Sequence, residues 1–184
     1  DAYTHSGNIF LIDNELDSAI ISYNQALNSS LAIDFYDIEN PQEFEIIGLA
    51  TLKLFDAFYQ KAIALQYLYD DTNDLNDLKE VIQICHNVDF IAQQLRLSLQ
   101  HSDQLILSNH LLKTYQLAVN ASFQLFELTN DDKYKDELNY FSEKKKVAAL
   151  ASIITSVRAK NLGEIPEVLL KKERDLASRL TFFN

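Results

Sequence analysis

The stretch that decides the fold is Leu68-Tyr69-Asp70-Asp71-Thr72-Asn73-Asp74. It returns 57 residues later as Leu125-Phe126-Glu127-Leu128-Thr129-Asn130-Asp131. In each copy an apolar run meets a short polar turn, whose last residues are suited to cap the next helix. Val81 and Leu138 match again beyond the turn. Working outward, residues 44–70 carry Ile47, Leu54, Phe58, Ile63, Leu65 and Leu68 with no Pro inside. Residues 75–99 carry Leu78, Val81, Ile82, Cys85, Val88, Ile91, Ala92, Leu95 and Leu99. Residues 103–128 carry Leu107, Leu111, Tyr115, Ala118, Ser122 and Leu125. Spacings of three and four place each set on one stripe of a helix. A further long helix is expected from about Asp132 to Lys160. Each unit is therefore a long helix, a tight turn and a second long helix. Such hairpins bury their faces only by stacking on neighbours.

The expected fold is all-α, with about six to seven helices in stacked antiparallel hairpins. Residues 1–160 form the array. Residues 161–184 form a C-terminal helix and connector, with Gly163 as a C-cap and Pro166 opening a helix that runs to about Leu180. The break from Asn28 to Asn40-Pro41 separates the first hairpin from the second. The acidic pairs Asp70-Asp71 and Asp131-Asp132 are expected at helix starts, where the positive end of the dipole favours them.

Composition agrees. The chain holds 184 residues with only 3 Gly and 2 Pro, too few for the turns of a sandwich or barrel. The glycines stand isolated at Gly7, Gly48 and Gly163, which excludes a phosphate-cradling glycine loop. One cysteine excludes an intrachain disulfide. No apolar run approaches the ~18 residues of a membrane span. The net charge of −11 is uneven: residues 1–140 hold 7 Lys+Arg against 22 Asp+Glu, and residues 141–184 hold 9 against 5. An acidic body repels phosphate backbones, so no nucleic-acid partner is expected. The chain starts at Asp1 and contains no Met, so it reads as a fragment of something longer.

Reactive chemistry is sparse. Cys85 and His86 are adjacent, and neighbours on a helix point about 100° apart. Cys85 lies on an apolar stripe and is expected to be a buried small hydrophobe. His5, His86, His101 and His110 make no helical metal spacing, so neither metal nor cofactor is expected. Lys144-Lys145-Lys146 fans over about 200° of a helix and reads as a solvated basic face. Within it, Lys146 shares a face with Glu143.

Two resemblances follow from these residues. The first 30 residues resemble a tetratricopeptide repeat, carried by Tyr3, Gly7 and Phe10 on the first helix and Ala19, Tyr23 and Ala26 on the second. Small residues there let helices approach, and aromatics fill the space between them. Residues 60–180 resemble the region preceding the catalytic domain of CHAT proteins, which join tetratricopeptide repeats to a caspase-like peptidase. That likeness rests on Tyr134, Glu143, Lys146, Leu150, Gly163, Ile165-Pro166, Leu169-Leu170, Glu173 and Leu176. It implies a right-handed superhelical array in a cytoplasmic protein, with a peptidase-like domain following. It also implies docking of Glu143, Lys146 and Leu169 to that domain.

The leading functional expectation is a non-catalytic scaffold or sensing module that binds a peptide or protein in a concave groove. Thr4, Asn8 and Leu11 would line it in the first hairpin. Gln66 and Asp70, then Asn120, Phe123 and Glu127, would line it in the later ones. A structural spacer or oligomerisation array is the alternative, and an enzyme with a helical active site is a third. No membrane partner is expected.

Overall fold

The computed structural model describes residues 2–30, 51–95 and 101–162. Six helices fill them: α1 (Ala2–Ile12), α2 (Leu16–Ser30), α3 (Thr51–Thr72), α4 (Leu75–Leu95), α5 (His101–Thr129) and α6 (Asp132–Leu162). There is no strand among the described residues, and the fold is all-α. Consecutive helices pack on one another, and α3 also packs on α5 and touches α1. The hairpins α1–α2, α3–α4 and α5–α6 thus set their first helices side by side. The break before Pro41, the Gly163 cap, the Pro166–Leu180 segment and Leu169 lie outside the described residues.

The 57-residue repeat is a repeat of atoms. Asn73 and Asn130 both take positive φ, 58° and 53°. Asn tolerates this left-handed conformation better than other residues with a side chain. The Asn73 N–H donates to Tyr69 O at 2.7 Å, and the Asn130 N–H to Phe126 O at 2.8 Å. The Thr72 hydroxyl donates to Leu68 O, and the Thr129 hydroxyl to Leu125 O. Asp74 then accepts the Asn76 N–H at 2.9 Å and Asp131 the Lys133 N–H at 3.0 Å, capping α4 and α6.

The turn proper is only Asn73-Asp74. Asp70 and Asp71 therefore lie in the last turn of α3, at the negative end of its dipole, and not at a helix start. The chain leaves the helix where Asn73 turns left-handed, one residue after Thr72, so the acidic pair does not mark the boundary. The first hairpin turns at Asn14, φ 61°, with the Glu15 N–H donating to Phe10 O at 2.8 Å.

Packing in the first hairpin depends on a missing side chain. A Cβ on Gly7 would sit 2.5 Å from Tyr23 Cε1, inside the ring's contact radius. The buried Tyr23 ring occupies that space, and its hydroxyl donates to Asn8 Oδ1 at 2.8 Å. Burial, then the nearby Asp56 charge, push the Tyr23 hydroxyl up to about 12. The main core joins Leu54, Phe58, Leu78, Val81, Val88, Leu111, Tyr115 and Phe141 across α3 to α6. Cys85 lies within it, fully buried, with Sγ 3.4 Å from Thr114 O, and burial pushes its thiol far above the usual range. Lys61 is also buried and reaches Glu80 across the α3–α4 interface at 2.7 Å.

Candidate functional site

The densest polar group in the interior centres on Asp89 of α4. Its side chain is 3% exposed. Four donors converge on it from three helices. The Tyr115 hydroxyl of α5 donates at 2.5 Å, and the Tyr140 hydroxyl of α6 at 2.6 Å. The Lys144 ammonium of α6 donates to both oxygens, at 3.1 and 2.8 Å. Gln93 of α4 donates at 2.7 Å from one turn away. Tyr140 and Lys144 are four apart, so one face of α6 delivers both. Burial opposes the Asp89 charge. The hydrogen bonds from Lys144, Tyr115 and Tyr140 outweigh it and hold the carboxyl below its usual range. Burial first, and then the bond to Asp89, push the Tyr140 hydroxyl well above its ordinary value.

A second α4–α6 contact lies one turn away. His86 Nε2 is 2.7 Å from Glu137 Oε2, so its ring N–H donates to the carboxylate. The His86 ring packs against Phe141 and Tyr140, with centroids 4.7 and 5.4 Å away. Phe141 in turn packs against Tyr115. The ammonium of Lys144 also lies 5.2 Å from the Tyr140 ring centroid.

A carboxylate offers about four acceptor positions. Tyr115, Tyr140, Lys144 and Gln93 occupy the oxygens of Asp89, leaving no open position for a reacting group. The arrangement ties α4, α5 and α6 together and holds them in register. Among the described residues no group of three His, Cys, Asp or Glu could hold a metal ion. No helix among them is long and apolar enough to cross a membrane.

The basic run is not a solvated face. Lys144 turns inward to Asp89, and Lys145 donates to Gln116 of α5. The exposed Lys146 pairs with Glu143 at 2.6 Å on the surface of α6. The three side chains do fan out, but α4 and α5 cover so much of α6 that two of them meet protein, Lys144 on α4 and Lys145 on α5.

The residues expected to line a groove separate into two groups. In the first hairpin Thr4 is buried, Asn8 accepts from Tyr23, and Leu11 packs against the cluster of Ala19, Tyr23 and Ala64. These side chains serve the hairpin's own packing. In the later hairpins Asp70, Asn120, Phe123 and Glu127 are exposed, Phe123 by 52%. Asn120, Phe123 and Glu127 fall at i, i+3 and i+7, one outward stripe of α5. Asn120 accepts from Gln116 one turn earlier. Gln66 is half-buried and donates to Gln124 of α5 at 3.1 Å, which holds α3 and α5 side by side. It also lies 3.4 Å from Asp70. Tyr67 stands beside Gln66 and is 49% exposed.

Asp89 was not singled out from the sequence. Its signal was a lone carboxylate beside the stripe of Val81, Ile82, Cys85, Val88, Ile91 and Ala92. No family model, no curated protein and no solved structure matches the chain.

Proposed function

We propose that the chain is a non-catalytic protein-binding array. It displays one face of its first helices to a peptide carrying basic and aromatic or aliphatic side chains. The observation that carries this reading is the pairing of α3 and α5 through Gln66 and Gln124, beside the exposed Tyr67 and Phe123. Exposed aromatics on a rigid helical surface supply contact area with little side-chain entropy to lose. Asp70, Glu127 and Asn120 surround them with acceptors and negative charge. That favours Lys or Arg on the partner and opposes nucleic acid.

In this reading the array resembles tetratricopeptide scaffolds. It would serve as the sensing arm of a larger cytoplasmic protein of the CHAT type, with Glu143 and Lys146 facing the peptidase-like domain. The saturated Asp89 group favours a scaffold over an enzyme, because its polar atoms are committed to holding helices. The test is a peptide array of systematically varied charge and aromatic content, probed with the wild-type chain and with Phe123→Ala and Tyr67→Ala. Selection of basic aromatic peptides, weakened about tenfold or more by either substitution, is expected at an anchor of ~1.4 kcal/mol or more. Binding that is indifferent to both substitutions would refute the assignment of the face.

A further inference from the structure

The contacts between α3 and α5 fix which side chains share one side of the pair. Lys113 Nζ lies 6.0 Å from the Tyr59 ring centroid, and Gln66 donates to Gln124 at 3.1 Å. Both partners advance together along the chain, so the two helices run parallel. Successive residues on a helix turn by about 100° in a fixed hand. Tyr67 follows the residue that faces α5, and Phe123 precedes the residue that faces α3. Their rotations are opposite, and in a parallel pair opposite rotations carry both rings to the same side. Packed helix axes stand about 8–10 Å apart, so the two exposed rings frame a slot wide enough for one side chain. Asp70 and Glu127 lie ~5 Å further along their helices, rotated by about 40–60° toward that same side. Two exposed carboxylates thus converge at one end of the slot. Neither makes an ion pair with a described residue. Lys113 stands ~15 Å back from Phe123 along α5, beyond the ~8 Å over which exposed charges act at physiological salt.

We propose that this slot takes the side chain of one arginine of the bound peptide. The inference rests on the reading of the α3–α5 face as a peptide-binding surface, and it names what that face selects. The planar guanidinium stacks against Tyr67 and Phe123 and donates to Asp70 and Glu127. Its charge is attracted by the ring faces and by the carboxylates together. The slot also lies near the C-terminal ends of α3 and α5, whose dipoles present partial negative charge to a cation. The seam between the helices holds an unused acceptor as well. The Gln66 Nε2 is shared between Gln124 and Asp70, while Gln66 Oε1 is buried without a hydrogen-bond partner. A guanidinium brings five N–H donors in a flat fork and sheds water readily, whereas an ammonium is a compact, strongly hydrated point charge. The site therefore favours arginine over lysine.

The probe is acetyl-arginine methylamide, titrated at low salt into the full chain with isotope-labelled aromatic rings. Acetyl-lysine methylamide and acetyl-citrulline methylamide are the comparisons, and citrulline keeps the shape of arginine without its charge. Saturable shifts of the Tyr67 and Phe123 ring signals are expected, with a Kd on the order of millimolar. Lysine should bind about threefold or more weaker, and citrulline about tenfold or more weaker. Asp70→Asn/Glu127→Gln changes only exposed side chains and should weaken the arginine probe about threefold or more. Equal shifts from arginine and citrulline, an unchanged Kd in the double variant, or no saturable shift at either ring would each overturn the slot. Its failure is separable from that of the face. Array peptides that lose binding in Phe123→Ala, yet tolerate citrulline at every arginine position, would leave the face standing and overturn the slot. Array binding indifferent to Phe123→Ala would overturn the face and the slot with it.

Discussion

Replacing Asp89 by Ala removes the shared acceptor of four donors at once, three of them from α5 and α6. The Tyr115 and Tyr140 hydroxyls lose bonds of 2.5 and 2.6 Å, and the Lys144 ammonium loses its counter-charge. Removing one partner of a fully buried ion pair costs about 3–5 kcal/mol, because the other charge is stranded. Here the Lys144 side chain is 27% exposed and can reach water after a small movement, whereas Asp89 cannot. That lowers the expected cost to about 3 kcal/mol, with the disappointed hydroxyls included at ~1 kcal/mol each. For a chain of this length, 1 kcal/mol shifts the melting temperature by about 2–4 °C, so Asp89→Ala should lower it by roughly 6–12 °C. Urea unfolding followed by helical circular dichroism at neutral pH gives the free-energy difference directly. A double-mutant cycle with Lys144→Met isolates the pair, and a coupling of about 0.5–3 kcal/mol is expected. If Asp89→Ala unfolds within ~0.5 kcal/mol of wild type, the scale of an inconsequential surface change, the carboxylate does not hold these helices and the reasoning fails.

Acid should act through the same group. Its folded pKa lies below the unfolded value of ~3.9, so its contribution is complete above that value and is lost as pH falls below it towards the folded pKa; stability measured from pH ~5 downward should fall less steeply in Asp89→Asn than in wild type, and parallel curves would contradict this. Gly7→Ala places a methyl 2.5 Å from the Tyr23 ring and should cost about 1–3 kcal/mol, despite the higher helix propensity of Ala; a stabilised variant would show that the ring can move aside. Asn73→Ala and Asn130→Ala should each cost about 1 kcal/mol in the left-handed turn position, while Gly at either site should be tolerated; equal effects of Ala and Gly would discount the backbone argument. Cys85 should resist a thiol reagent in the native chain and react only on unfolding, because its thiol is buried and its pKa raised; rapid native labelling would expose the α4–α5 interface as open.

The hairpin plan was legible because the turn chemistry repeats together with the apolar stripes. The Thr-Asn-Asp signal marks two of the three described turns. It does not find Asn14, where Asp13-Asn14-Glu15 makes the same left-handed reversal without a Thr. The periodicity also located Cys85 correctly, since a small residue on an apolar stripe is buried whatever its chemistry. It could not place Thr4, whose burial depends on how closely α1 and α2 approach across Gly7. Lys144 and Lys145 misled for a related reason. Angular spread around a helix says which directions side chains take, but not how much of the circumference neighbours cover. Asp89 was legible as an anomaly only, for three of its four donors lie on helices that begin 12 and 43 residues after it.

The joints between helices share a logic that the apolar core alone would not supply. Apolar stripes stabilise a helix pair but tolerate sliding by a turn, since one Leu or Ala can replace another. Each joint described here carries a contact that does not tolerate it. In α1–α2 it is the Tyr23 ring in the Gly7 gap, with its hydroxyl on Asn8. In α3–α5 it is the amide pair Gln66–Gln124, and in α3–α4 the Lys61–Glu80 ion pair. In α4–α6 it is Asp89, because a slip of about 5.4 Å would take Tyr140 and Lys144 off the carboxylate together. Hydrophobic burial thus supplies the stabilisation, and the directional contacts at these joints select the register.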